Sequence, residues 1–196
     1  YDLAGYFFLI SFVLIFHALI TYGSILSFFK LSPIIFFRKL REVLLFAFST
    51  SSSSATMPLT LKTVKEKLGV DQSVASFCIP LGATINMDGT AIMQGIATVF
   101  IAQAYGVDLQ ITDYLMVILT ATLASIGTAG VPGVGLIMLA MVLQQVGLPV
   151  EGIALIIGVD RLLDMIRTAV NVSGDSMIAC IISSTQGTLN KSKFFG

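Results

Sequence analysis

The sequence predicts an all-α integral membrane protein built from inverted-repeat helical hairpins, two of them re-entrant, and from transmembrane helices broken at mid-depth. Three observations carry this. Hydrophobic residues make up 56% of the 196 positions and charged residues only 11%, whereas soluble domains are about 25% charged; mean hydropathy is +0.94. Residues 3–29, 43–61 and 114–150 contain no Asp, Glu, Lys or Arg. Two of these runs are interrupted at their centres, by Ser51, Ser52, Ser53 and Ser54 ahead of Pro58, and by four glycines and Pro132 between Ser125 and Gly135, and a helix does not continue easily through the second of these. Acids and bases balance at 11 each, so no basic excess exists to meet phosphate and no nucleic-acid partner is expected.

Residues 1–29 form the first transmembrane helix, longer than the roughly 20 residues a span requires. His17 within it reads as a packed or interfacial residue rather than a proton relay. Residues 30–42, with Lys30, Arg38, Lys39 and Arg41 around Pro33, read as a cytoplasmic loop. Residues 43–70 read as re-entrant hairpin 1 with the serine run at its tip. If this segment crossed, the second basic cluster, Lys62, Lys65 and Lys67, would lie on the wrong side of the positive-inside rule. Irregular backbone at depth survives only inside protein or beside water, which makes the tip a site candidate.

Residues 71–107 form a broken transmembrane helix. Asn86-Met87-Asp88-Gly89-Thr90 in its middle suggests unwinding that frees carbonyls for a cation; the alternative is that Asp88 merely caps the second half-helix. Asp108 and Asp113 follow with no base nearby, as on an outer face. Residues 108–149 form re-entrant hairpin 2, entering from outside because Asp113 and Glu151 flank its ends, and its glycine run matches neither GxxxxGK nor GxGxxG. Residues 150–187 form the substrate-binding helix, and 188–196, with Lys191 and Lys193, a C-terminal tail. A shift of 74 residues lays Ala47, Ser51, Ser54, Ala55 and Pro58 on Ala121, Ser125, Thr128, Ala129 and Pro132, the mark of an inverted repeat. Cys78 and Cys180 lie in apolar surroundings and read as packing residues. The chain opens at Tyr1 and enters an apolar run without a basic leader region, so it reads as lacking a signal peptide and as a piece of something longer.

Asp160, Asp164, Arg167, Thr168, Asn171 and Asp175 follow steps of 4, 3, 1, 3 and 4 and fall on one stripe of the last helix. Each charge would cost roughly 2.5–3.5 kcal/mol facing lipid at mid-bilayer, so the stripe must face protein. One reading is a ladder of ion pairs, Arg161 to Asp164 and Asp164 to Arg167 at i,i+3. The other is a substrate or ion pathway, favoured by Thr168 and Asn171, which neutralise nothing. Asp88, Asp160, Asp164 and Asp175 against Arg161 and Arg167 leave a net −2 that an acidic substrate would deepen, so cations must enter with it.

SSSSATMP, NMDGT, SIGTAGVPG and DMIRTAVNVSGD together resemble the glutamate/aspartate transporter family, the dicarboxylate/amino acid:cation symporters. The resemblance implies an elevator-type symporter of the plasma membrane, with Na+ or H+ as coupling ion, working as a homotrimer through a scaffold absent from this chain. Its partners would be an acidic amino acid and membrane lipid. It further implies that Arg167 grips the side-chain carboxylate and Asp164 the α-amino group, with Thr168 and Asn171 completing the pocket. Ser52 and Ser53 at the first tip, with Val131 and Gly135 at the second, would hold the main-chain carboxylate, and Met87 and Thr90 would line the site. One sodium would use Gly82, Asn86, Asn171 and Asp175; a second Thr84, Ser125, Ile126 and Thr128; a third Asp88 and Asn86. Independently, the planar Arg fork suits a carboxylate and Asp164 one turn away suits an amine. Some family members carry an arginine where this chain has Ser51 and others where it has Met165; here Arg161 is expected to take that role by pairing with Asp164 or Asp160. Competing readings are a C4-dicarboxylate or neutral amino acid symporter and, from another class, an ion channel. An intramembrane hydrolase lacks any Ser-His-Asp or Ser-Lys arrangement, so no enzyme is expected.

Overall fold

Asp2 starts the first helix by accepting the Gly5 N–H on its side chain at 2.9 Å. The computed structural model describes residues 2–127 and 129–196, and among these every regular element is a helix. The first rod runs from Leu3 to Phe28, 26 residues, about 39 Å at 1.5 Å per residue. It comprises α1 (Leu3–Phe16), a π segment (His17–Tyr22) and α2 (Gly23–Phe28). Tyr6, Ile10 and Leu14 bury one face at helical spacing, while Phe8, Phe12 and Phe16 lie exposed.

Residues 30–42, expected as a loop, are mostly helical. Ser32 Oγ accepts the Ile35 N–H and Pro33 occupies the first turn, where its missing N–H costs nothing, so α3 spans Pro33–Thr50. Its buried Phe36, Leu40, Val43 and Ala47 make one apolar stripe beneath the basic residues. That amphipathic spacing outweighed the density of charge. Ser51, left-handed at φ 51°, ends the helix, and Ser52 caps α4 (Ser53–Glu66) by accepting the Ala55 N–H at 3.1 Å. Only two residues therefore separate the arms of the first hairpin.

Asp71 caps α5 (Gln72–Ile85); bonds from the Ser73 hydroxyl and amide hold its carboxyl below the ordinary range. The break that follows is two residues, Asn86 and Met87, rather than the five-residue NMDGT run, because Asp88, Gly89 and Thr90 already form the first turn of α6 (Asp88–Ala104). Gln110 and Asp113 cap α7 (Ile111–Ser125) reciprocally. After the glycine-rich connection comes α8 (Val134–Gln145), then a 3-10 turn (Val150–Leu155) and α9 (Ile157–Thr185). The last helix thus begins later than residue 150.

α9 is the axle. α1, α3, α4, α5 and α6 all pack on it, which buries Asp160, Arg167, Thr168, Asn171 and Asp175. The tail is not a loose end: α10 (Lys191–Phe195) inserts a fully buried Phe194, Asn190 N–H donates to Gly69 O at 2.8 Å, and Lys39 Nζ donates to Lys193 O at 2.5 Å. Phe194→Ala should therefore cost about 3 kcal/mol or more, read as a lower thermal midpoint and faster tryptic cleavage in the tail.

Candidate functional site

The stripe on α9 turns inward and is organised by Arg167, 1% exposed. Its Nη1 donates to Asp160 Oδ1 at 2.7 Å and its Nη2 to Asp164 Oδ1 at 2.9 Å. Arg161 does not join them: it is exposed and forms no ion pair among the described residues. One position along a helix is a rotation of about 100°, which carries Arg161 off the buried face. Of the ladder expected from sequence, only the Asp164–Arg167 rung is present, and Asp160 supplies the other partner at a spacing of seven residues.

The two hairpin tips meet over this stripe. Ser52 Oγ donates to Gly130 O at 2.7 Å, and Ser54 N–H to the same carbonyl at 3.1 Å. Gly133, at φ 82°, donates its N–H to Asp164 Oδ2 at 3.1 Å. A Cβ on Gly130 would stand 3.0 Å from Ser53 Cβ and from Ser54 Oγ, tighter than ordinary contact. Gly130→Ala should thus hold the tips apart, read as faster hydrogen exchange of the Ser54 amide that bonds Gly130 O, with folding unchanged by thermal shift.

Beneath the tips lies a cavity of about 20 Å3 lined by Ser53, Met87, Thr90, Val131, Gly135, Asp164, Thr168 and Asn171, among others. That volume suits one water, so anything larger enters only if a tip moves. Asn171 fixes the floor: its Nδ2 donates to Met87 Sδ at 3.2 Å and Thr90 Oγ1 at 3.3 Å, and its Oδ1 accepts the Gly89 N–H at 2.8 Å. Thr168 Oγ1 donates to Asp164 O at 2.8 Å. Of the residues expected to hold a substrate, Ser53, Met87, Thr90, Val131, Gly135, Asp164, Thr168 and Asn171 line this one cavity, drawn from both tips, the broken helix and α9, while Ser52 and Arg167 are not in its lining.

The residues expected to hold cations divide. Asn86 Nδ2 donates to Asp175 Oδ1 at 2.9 Å and lies 3.4 Å from Asn171 O; Gly82 O accepts the Asn86 N–H at 2.8 Å, and any side chain on Gly82 would strike the Asp175 carboxylate. Gly82, Asn86, Asn171 and Asp175 therefore converge. Thr84 O accepts the Gly127 N–H at 2.6 Å, which joins the end of α5 to the second tip, while Ser125 Oγ and Ile126 N–H bond back to Thr122 O; Thr128 lies outside the described residues. Asp88 and Asn86 are not hydrogen-bonded to each other among the described residues. Asn86 faces Asp175, and Asp88 Oδ2 instead accepts the Tyr22 hydroxyl and lies 2.9 Å from His17 Nε2.

His17 and Tyr22 are residues that sequence reasoning undervalued. They bound the π segment, a backbone form that recurs at functional positions, which no local sequence pattern marked. Gly130, Gly133 and Asp160 were also given no individual role from sequence; their parts depend on partners 31 to 78 residues away for the glycines and on a shared arginine for the acid.

A sequence model of the sodium:dicarboxylate symporter family matches residues 1–185. The chain is 52% identical over 153 residues to an excitatory amino acid transporter of Caenorhabditis elegans, covering 78% of this chain and 30% of that protein. It is 47% identical over 154 residues to excitatory amino acid transporter 5 of Homo sapiens, covering 79% and 28%. It is 40% identical over 185 residues to the proton/glutamate-aspartate symporter of Escherichia coli (strain K12), covering 94% and 42%. The chain thus spans less than half the length of these curated relatives.

Proposed function

This chain belongs to the sodium:dicarboxylate symporter family, and from that premise we propose that it is the substrate-binding portion of a plasma-membrane symporter for an acidic amino acid. The observation that carries the reading is Arg167, buried and bonded to two carboxylates directly below a pair of touching hairpin tips. Asp160 keeps the guanidinium oriented through Nη1. An incoming side-chain carboxylate takes Nη2, and the displaced Asp164 turns to the substrate's α-amino group. Without an amine, Asp164 would be left a buried charge with no partner, which is costly; a plain dicarboxylate is therefore disfavoured. The relatives named as excitatory amino acid transporters and as a glutamate-aspartate symporter support the same substrate class.

Cations enter with the substrate because the stripe and Asp88 are net negative. The first would lie among the carbonyls of Gly82, Asn86 and Asn171 and the Asp175 carboxylate, where Asn86 Nδ2 now reaches both. A second would use the carbonyls of Thr84, Ser125, Ile126 and Thr128, and a third Asp88 and Asn86 once Asp88 is released from Tyr22 and His17. The coupling ion is sodium, with a proton as the alternative.

The arms of the second hairpin are 15 and 12 residues long, about 22 and 18 Å. Both fall short of a hydrocarbon core about 30 Å thick, which supports a re-entrant hairpin; Asp113 and Glu151 at its ends support entry from outside. The first hairpin would enter from the cytoplasm, giving the inverted repeat, and the whole unit would move as an elevator against a trimeric scaffold. Uptake of labelled L-aspartate by the complete protein in proteoliposomes, under a sodium gradient and separately under a proton gradient, tests this. Concentrative uptake driven by one of them is expected, and passive, non-saturable flux would overturn the reading in favour of a channel.

A further inference from the structure

Nine of the eleven Lys and Arg residues lie in three segments: Lys30, Arg38, Lys39 and Arg41; Lys62, Lys65 and Lys67; Lys191 and Lys193. Contacts bring these three segments together at one end. Lys39 Nζ donates to Lys67 O at 3.3 Å and to Lys193 O at 2.5 Å, and Lys67 pairs with Glu42 at 2.7 Å. Glu42, Glu66 and Asp71 are the acids of this end, so nine cations against three anions leave +6. The exposed Asp2, Asp108 and Glu151 and the half-buried Asp113 belong to other segments; Asp2 shares a groove with Gln103 and Tyr114.

The positive-inside rule accounts for a surplus of bases on one side but is met by any scatter of them. What it does not require is a cleft with fixed walls. Such a cleft, about 310 Å3, lies between residues 65–72 and 188–193, with Lys65, Asp71, Asn190 and Lys193 on its lining. One wall is pinned by the Asn190 N–H to Gly69 O bond, by Lys39 as described, and by Phe194, which is fully buried. The Lys65 and Lys193 ammoniums form no ion pair among the described residues. Asp71, the one acid in the lining, has Oδ1 committed to Ser73 and Val74. Phe195, exposed beside this wall, offers an apolar surface next to the cationic one. A polar pocket with two unpaired ammoniums and an aromatic at its edge, at the membrane surface, matches an amphiphile whose head is a phosphate.

We propose that this cleft binds the phosphorylated headgroup of an anionic lipid, held between Lys65 and Lys193 with its acyl chains running past Phe195. The test uses the complete protein in phosphatidylcholine nanodiscs containing a phosphatidylinositol phosphate, with bound lipid read by native mass spectrometry. A surface lysine contributes about fivefold to anionic lipid affinity, so Lys65→Gln with Lys193→Gln should weaken retention roughly twentyfold. The pair Arg38→Gln with Arg41→Gln, exposed on the same end, removes equal charge outside the cleft and should leave retention of the phosphoinositide largely intact. Equal losses in the two pairs would overturn the proposal in favour of diffuse attraction. Equal retention of phosphatidylserine at matched total charge would overturn it as well. Inositol trisphosphate is the soluble arm: failure to displace the lipid at equal concentration supports a lipid site, and full displacement would reassign the cleft to a free phosphate ligand. Gly69→Ala provides a charge-neutral check. Its Cβ would collide with Asn190 O and push back one wall, so retention should fall although every lysine remains.

Discussion

Arg167→Gln should abolish uptake of L-aspartate by the complete protein, lowering it by about a hundredfold or more, and Arg167→Lys should not restore it. The physical reason lies in the two carboxylates Arg167 already holds, at 2.7 and 2.9 Å. Removing one partner of a buried pair costs about 3–5 kcal/mol, and here two acids lose their partner at once. Glutamine can donate to one of them but carries no charge. Lysine keeps the charge but offers a single ammonium where the site uses a planar fork, Nη1 to one acid and Nη2 to the other. Uptake of labelled aspartate, alongside a thermal-shift measurement to verify folding, checks this. Unchanged affinity in a folded Arg167→Gln variant would remove the carboxylate-binding role assigned to the arginine.

Asp175→Asn should raise the cation concentration needed for half-maximal uptake by about tenfold or more, while leaving the affinity for substrate at saturating cation nearly unchanged. Asp175 is 3% exposed and its hydrogen-bond partner is the neutral amide of Asn86. The carboxyl thus has no cationic partner among the described residues and is placed to take a cation. At an effective dielectric of about 20, a unit pair at 4 Å is worth ~4 kcal/mol, so loss of one charge shifts cation affinity far more than it shifts packing. Gly82→Ala should produce the same displacement by a different route, since the added methyl would occupy the space of the Asp175 carboxylate. A sodium titration of uptake rates, repeated against pH, distinguishes the coupling ion; a cation dependence equal to that of the parent in both variants would exclude this corner as a cation site.

How far the site could be read in advance varies by residue. The stripe from Asp160 to Asp175 was legible because helical periodicity and the cost of charge in lipid are both local properties of the chain. Arg161 misled for an instructive reason: i,i+3 spacing to Asp164 satisfies sequence arithmetic, yet Arg161 lies off the face that the neighbouring helices cover. His17 was discounted because a single histidine in an apolar helix carries little signal, and its meaning emerged only when the π segment brought it and Tyr22 to Asp88. The stretch of residues 30–42 was read as loop from its charges, although Ser32, Pro33 and the spacing of Phe36, Leu40 and Val43 spelled a helix start.

By itself the sequence determined that this protein is helical and belongs in a membrane, that its helices are interrupted near the serine run, Asn86 and the glycine run, and which face of the last helix is polar. These follow from composition, turn chemistry and a period of 3.6, all set by neighbours in the chain. Tertiary structure alone decided that Arg161 stays off the buried face while Arg167 takes Asp160 as well as Asp164, that Gly130 and Gly133 tie one tip to the other and to the stripe, and that Asp88 belongs with the first helix. The first depends on which face of α9 its neighbours cover and the other two on groups distant in sequence finding one another, and hydrogen bonds and ion pairs act over a few ångströms, so only packing selects the partner.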